Sequence, residues 1–280
     1  MTNDTLITQS ARLHNRTRET SNFAEKFRAL GRFDLLLLLK ILETSDLARE
    51  GIANSGSYRF ADHIYRNEAS GTGSFGKILD RVLLSLPSAS TMRRRYIKAR
   101  ECMIAMALSP NFDQFEILTV PCGIPRDVAE MIRRIQIESP SRAAAIRYTG
   151  FDLDPAALVD AKKSLPANAE LITADALDPS AFPTNQFHFI SSTGLGEFLS
   201  DENLHLFYRN IHKSLRPGGL FFTSAIRSDL ISQRLMRNFE LTYSNRTESH
   251  LYPILSRLEW HQLRFEEDPS GLQTYVYGTK

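Results

Sequence analysis

One stretch constrains the fold of this chain more than any other: Phe115-Glu116-Ile117-Leu118-Thr119-Val120-Pro121-Cys122-Gly123-Ile124-Pro125-Arg126-Asp127. An apolar, β-prone run stops at Pro-Cys-Gly, and a helix-patterned stretch, 127–136, begins at once. Strand, tight turn and helix in immediate succession open a nucleotide-binding βα unit. The turn of such a unit aims backbone N–H groups and a helix N-terminus at the bound ligand. Gly123, with no Cβ, permits a close approach of that backbone.

The rest of the chain extends this unit into a sheet. Candidate strands follow at 115–121, 145–151, 170–174, 187–192, 219–225, 260–267 and 272–278, with helices at 126–137, 155–164, 201–214 and 227–240. The alternation predicts an α/β fold, a doubly wound and mostly parallel sheet with helices on both faces. The end departs from it. Trp260–Glu267 and Leu272–Gly278 are separated only by Asp268-Pro269-Ser270-Gly271. That spacing allows a hairpin and forbids a crossover helix, so the last of seven strands is expected to be antiparallel.

Residues 23–108 read differently. Phe23, Phe27, Leu30, Phe33 and Leu37 recur at steps of three and four, and a polar break, 67–74, carries Gly71 and Gly73 ahead of further helices at 75–86 and 91–107. The division expected is a flexible tail, 1–22, a helical N-terminal cap over the substrate side, 23–110, and a ligand-binding domain, 111–280. Leu35–Leu39 is too short to span a bilayer and reads as a buried helix. The tail lacks the apolar core of a signal peptide, while Arg12, Arg16 and Arg18 among Ser and Thr leave a transit peptide open.

Hydrophobic residues make up 42% of 280, enough for a sizeable core. Lys and Arg number 34 against 32 Asp and Glu, a balance that argues against a dedicated nucleic-acid binder. Its densest basic patch, Arg93-Arg94-Arg95 with Lys98 and Arg100, spreads over more than one helix face. Two cysteines, Cys102 and Cys122, build neither a disulfide framework nor a zinc site and suit a reducing, cytoplasmic compartment. No metal is expected.

A seven-stranded sheet with a reversed last strand is the hallmark of class I S-adenosylmethionine (SAM) dependent methyltransferases, and the sequence resembles them at four stations in order. At the first, where the family has an acid and Gly-x-Gly-x-Gly, Thr119 replaces the acid, Pro121 and Pro125 replace glycines, and Gly123 is kept. Thr119 supplies no carboxylate for the cofactor's ammonium. The second is Gly150-Phe151-Asp152-Leu153-Asp154-Pro155. The resemblance assigns Asp152, at a strand end, to the ribose hydroxyls, and Asp154 before Pro155 to capping the next helix. The third, Asp175-Ala176, implies contacts to the adenine amino group and ring. The fourth, Ser191-Ser192-Thr193, lines the methionine side, with His188 where the family commonly has Asp. Leu215-Arg216-Pro217-Gly218-Gly219 matches the family's turn into the fifth strand. The cofactor contacts implied are Pro121, Cys122, Gly123, Asp152, Leu153, Asp175, Ala176, Ser192 and Thr193.

The segments His63–Glu68, Gly76–Arg81 and Arg93–Arg95 also resemble a bacterial group of methyltransferases, some of them fused to an α/β-hydrolase. The resemblance implies methyl transfer from SAM. The charge balance points to a small-molecule acceptor, with neither nucleic acid nor membrane as partner. Candidate general bases are Glu197, His63 and Tyr65; an arginine of the triplet is a candidate partner for a carboxylate. An NAD-dependent oxidoreductase and an inactive methyltransferase-like binding protein stay open, as do the acceptor's identity and a homodimer.

Overall fold

The computed structural model describes residues 20–54, 56–109, 112–227 and 244–280; most of the expected tail and of the expected helix 227–240 lies outside them. Two compact units divide between Arg93 and Arg94.

The first unit is helical: α1 (Thr20–Ala29), α2 (Phe33–Leu42), α3 (Asp46–Ala53), α4 (Tyr58–Arg66), α5 (Gly73–Ser85) and the start of α6 (Pro87–Ala107). The stripe expected from Phe23 through Leu37 is interrupted. Phe23 and Phe27 are buried, but Leu30, Phe33 and Leu37 are 63%, 74% and 63% exposed. Gly31, at φ +63°, ends α1, and α2 restarts with a new phase that buries Leu35, Leu39 and Leu42. A left-handed residue between two helices resets which positions share a face.

A buried carboxylate organises this unit. Asp80, on α5, accepts from Ser45 Oγ (2.5 Å), from the backbone N–H of Ser70 (2.9 Å) and Gly71 (2.8 Å), and more distantly from that of Leu47 (3.4 Å). Burial pushes its pKa up, but these hydrogen bonds outweigh it and hold the carboxyl below its ordinary value. The backbone is packed so closely here that a Cβ on Gly76 would lie 2.2 Å from the Thr44 carbonyl oxygen.

The second unit holds seven strands: β1 (Phe115–Thr119), β2 (Ile146–Asp152), β3 (Glu170–Thr173), β4 (Phe187–Ser192), β5 (Leu215–Ile226), β6 (Gln262–Glu267) and β7 (Gln273–Thr279). Their order is β3-β2-β1-β4-β5-β7-β6; β1 to β5 pair in parallel, and β7 runs antiparallel to both β5 and β6. The expected strands are all present, and the closing hairpin reverses as its spacing required. Helices α7 (Arg126–Glu138), α8 (Pro140–Ala144), α9 (Pro155–Lys162), α10 (Asp201–Ser214) and α11 (Glu248–Leu255) complete it. One sheet face packs Phe115, Ile117, Tyr148, Phe189 and Phe222 against Ala99 and Met103 of α6 and Val128 and Met131 of α7. The other packs Leu118, Ile190 and Phe221 against Leu204 and Phe207 of α10 and Leu251 of α11.

Leu215–Gly219 is no simple turn before a strand. Leu215 already pairs with Phe187; the register then shifts, and pairing resumes at Leu220 and Phe189. Gly218, at φ +77°, takes the position in this bulge that L side chains rarely adopt.

Candidate functional site

The parallel strands end along one edge. Moving outward from β1, the chain adds β2 and β3 on one side and then β4 and β5 on the other. The crevice at such a reversal is where open α/β sheets bind ligands. Its two lips are the loop after β1 and the loop after β4.

The first lip is held from below. Val120 donates its N–H to Ser191 O (3.0 Å) and Cys122 to Phe151 O (2.7 Å), so the loop is pinned to both neighbouring strands. Gly123, at φ +49°, turns its N–H onto Asp152 Oδ2 at 2.9 Å. The other Asp152 oxygen accepts from the Asp154 N–H at 3.0 Å. Asp154 caps α9 through the Ala156 N–H (2.9 Å), as its place before proline predicts. The first two stations are thus one hydrogen-bonded assembly. A Cβ on Gly150 would sit 2.8 Å from the Tyr148 hydroxyl and 3.0 Å from Cys122 Cβ, so the second station also requires its glycine.

Thr119, which stands in the acid's place, is buried, and its Oγ1 lies 2.6 Å from the Tyr148 hydroxyl. Burial, then the neighbouring Asp152, pushes the Cys122 thiol well above its usual range. Asp127, in the first turn of α7, accepts from the Val128 N–H at 2.9 Å; burial nevertheless pushes its carboxyl up to about 6. Asp175 accepts from the Leu177 N–H at 2.9 Å, which turns the chain directly after β3. Pro121, Gly123, Leu153, Asp175, Ala176 and Thr193 are partly accessible on this edge, whereas Cys122, Asp152 and Ser192 are buried. Ser192 Oγ has no hydrogen-bond partner among the described residues.

The second lip carries charges. Glu197, in a short 3-10 turn (Gly196–Phe198), is buried, and its Oε1 takes Arg95 Nη1 of α6 at 3.1 Å. Gly194, at φ +99°, lets the guanidinium lie against the loop, since a Cβ there would be 3.0 Å from Arg95 Nη2. Arg246 fixes the same loop from the other side by donating to Gly196 O and Leu199 O and pairing with Asp201 at 2.8 Å. The pairing of residues 95 and 197 and the role of Arg246 were hidden from the sequence; each links positions far apart in the chain, and no local spacing signals them.

Three further cations of α6 are engaged too. Arg94 forks onto Asp268 at 2.6 and 2.8 Å, Lys98 meets Glu266 at 2.7 Å, and Arg100 pairs with Glu130. His63 and Tyr65 belong to the first unit. The His63 ring lies 2.9 Å from Glu68 O and 3.8 Å from Asp80, and Tyr65 packs against Leu47, Ile64 and Leu84.

Residues 117–219 match a methyltransferase domain family. No curated protein matches the chain by sequence. Among solved structures, it is similar to a possible exported protein from Bordetella parapertussis, with a TM-score of 0.75, 19% identity and coverage of 100% of this chain and 99% of that one. It is also similar to magnesium protoporphyrin IX methyltransferase from Synechocystis with bound S-adenosylhomocysteine (TM-score 0.53, 10% identity, coverage 78% and 93%). A third is the CMeT domain of the citrinin polyketide synthase (TM-score 0.52, 15% identity, coverage 79% and 65%). At these identities the likenesses establish a shared fold.

Proposed function

From the premise that this chain is a methyltransferase built on the class I, SAM-dependent fold, we propose that it methylates a small-molecule acceptor at the crevice between the loops after β1 and β4. The residues present fit the cofactor. Gly123 brings bare backbone to the edge, Asp152 stands at the end of β2, and Ser192 Oγ and Glu197 Oε2 are buried polar atoms with no hydrogen-bond partner among the described residues. SAM supplies an electrophilic methyl group on a sulfonium, so the protein's part is alignment and exclusion of water.

The observation that carries the reading is the carboxylate of Asp152. Bonds from the Gly123 and Asp154 N–H groups orient its two oxygens at the end of β2. A carboxylate so oriented is preorganised to receive the two hydroxyls of a ribose. Asp175 and Ala176 border the same edge on the adenine side, and Ser192 and Thr193 on the methionine side.

Charge supports a small acceptor. Of the five cations of α6 that looked like a patch, four, Arg94, Arg95, Lys98 and Arg100, each meet a carboxylate. An RNA or DNA track needs cations available to phosphates. Among the described residues no helix is long and apolar enough to cross a membrane. Cys102 and Cys122 are both free thiols, which suits a reducing, cytoplasmic setting.

Titration calorimetry with S-adenosylhomocysteine and with NAD tests the cofactor, and filter binding at low salt tests the acceptor class. The expected result is binding of S-adenosylhomocysteine alone and no retention of nucleic acid. Tight, salt-sensitive binding of RNA or DNA overturns the small-molecule acceptor, and preference for NAD overturns the methyltransferase.

A further inference from the structure

The first station lacks the acid that the family sets against the cofactor's ammonium, and Thr119 is already engaged by Tyr148. The other carboxylates along the edge are committed to backbone. Asp152 takes Gly123 and Asp154, Asp154 caps α9, Asp175 takes Leu177, and Asp127 takes Val128. Glu197 differs. With a side chain 4% exposed, it gives Oε1 to Arg95, while its buried Oε2 has no hydrogen-bond partner among the described residues. A buried carboxylate oxygen left without a donor is costly and gains strongly from a cationic one.

The surroundings select for size and charge. Glu197 borders a cavity with room for a water-sized group, shared with Tyr208, Ser224, Ser244 and Arg246, and Ser224 Oγ is likewise buried with no hydrogen-bond partner among the described residues. An ammonium head is about that size. The neighbouring Arg95 guanidinium puts a positive group directly beside the negative one, on the β4 lip of the crevice. Adjacent opposite charges complement a zwitterion, in which a carboxylate and an ammonium share one carbon.

We infer that Glu197 takes over the task of the missing acid: its Oε2 accepts from the ammonium of the cofactor's amino-acid end, while Arg95 faces the carboxylate of the same group. Glu197 is then a cofactor-binding residue and not the general base. The inference rests on the SAM reading above, and it moves the anionic contact from the lip after β1 to the lip after β4.

Three commercially obtainable or simple probes test it by calorimetry on the full chain: S-adenosylhomocysteine, its desamino analogue, and 5′-methylthioadenosine, which lacks the amino-acid end. Wild-type protein is expected to bind S-adenosylhomocysteine at least about tenfold more tightly than the desamino analogue, a difference of about 1.4 kcal/mol. In Glu197→Gln that ratio is expected to fall to about 1, with the affinity for 5′-methylthioadenosine unchanged. Retention of 5′-methylthioadenosine also shows that the variant is folded. If it is not folded, Glu197→Asp is read instead, with an intermediate ratio expected and an unchanged ratio counting against the inference. A wild-type ratio near 1, a ratio that survives Glu197→Gln, or an equal loss for all three probes overturns it. Failure of the wild type to bind both S-adenosylhomocysteine and 5′-methylthioadenosine overturns the cofactor reading itself, a distinct result.

Discussion

Asp152 is the residue through which the first loop, the second strand and the start of α9 communicate. Its two oxygens hold Gly123 and Asp154, and its carbonyl accepts from Ala174 at 3.0 Å. Replacing it by alanine removes the ribose contact and releases the turn that presents backbone to the ligand. Asp152→Ala is expected to weaken S-adenosylhomocysteine binding at least about tenfold, on the order of one charged hydrogen bond. Circular dichroism is expected to stay native, because both lost bonds lie in loops outside the sheet ladder. Unchanged affinity in a folded variant contradicts the ribose assignment. Thr119 is the counterpart in which the sequence alone misleads. It looks like a lost acid, and only the structure reveals that its hydroxyl has joined a buried pair with Tyr148.

At the scale of elements, the β6–β7 hairpin is fastened by one carboxylate. Asp268 accepts from both Arg94 nitrogens, from the Ser270 N–H and hydroxyl, and from Tyr275 Oη. Burial alone raises its pKa, but these bonds reverse the sign and bring it down to about 2. A folded pKa below the unfolded value of about 3.9 means stability present above that value and lost as pH falls through the folded one. The contribution, roughly 2 kcal/mol, is thus complete near pH 6 and disappears between about pH 4 and 2. Asp268→Asn is expected to lower the denaturation midpoint at pH 7 and to leave less difference from wild type at pH 2.5. An undiminished difference at the lower pH contradicts this account. The hairpin was legible because Asp-Pro-Ser-Gly between two β-rich runs leaves no room for a helix. Strands β1, β2, β4 and β5 were legible because each carries a largely buried run bounded by a turn, and β3, exposed at both ends, because half-buried Leu171 and Ile172 precede one. The stripe through Leu30, Phe33 and Leu37 was misread because periodicity carries across a gap only if the helix does, and Gly31 ends it. The helix α11 escaped notice because Pro253 lies inside it. The bulge at Gly218 looked like an ordinary turn because both use the same residues.

For the molecule as a whole, a net charge of +2 conceals a high degree of internal pairing. The most consequential instance is the second half of α6. Ala99 and Met103 are fully buried against the sheet, and around them Arg94, Arg95, Lys98 and Arg100 reach the β6–β7 hairpin, the loop after β4, β6 and α7 in turn. A helix joined to so many elements of its unit cannot detach without disturbing all of them. Its amides between residues 99 and 107 are therefore expected to exchange with deuterium only through global opening of the unit, as slowly as those of the central strand β1. Earlier exchange there, at a rate separable from that of β1, indicates that the helix opens by itself. If the rates coincide, this segment, which precedes the nucleotide-binding pattern in the chain, is part of the cooperative folding unit that pattern belongs to.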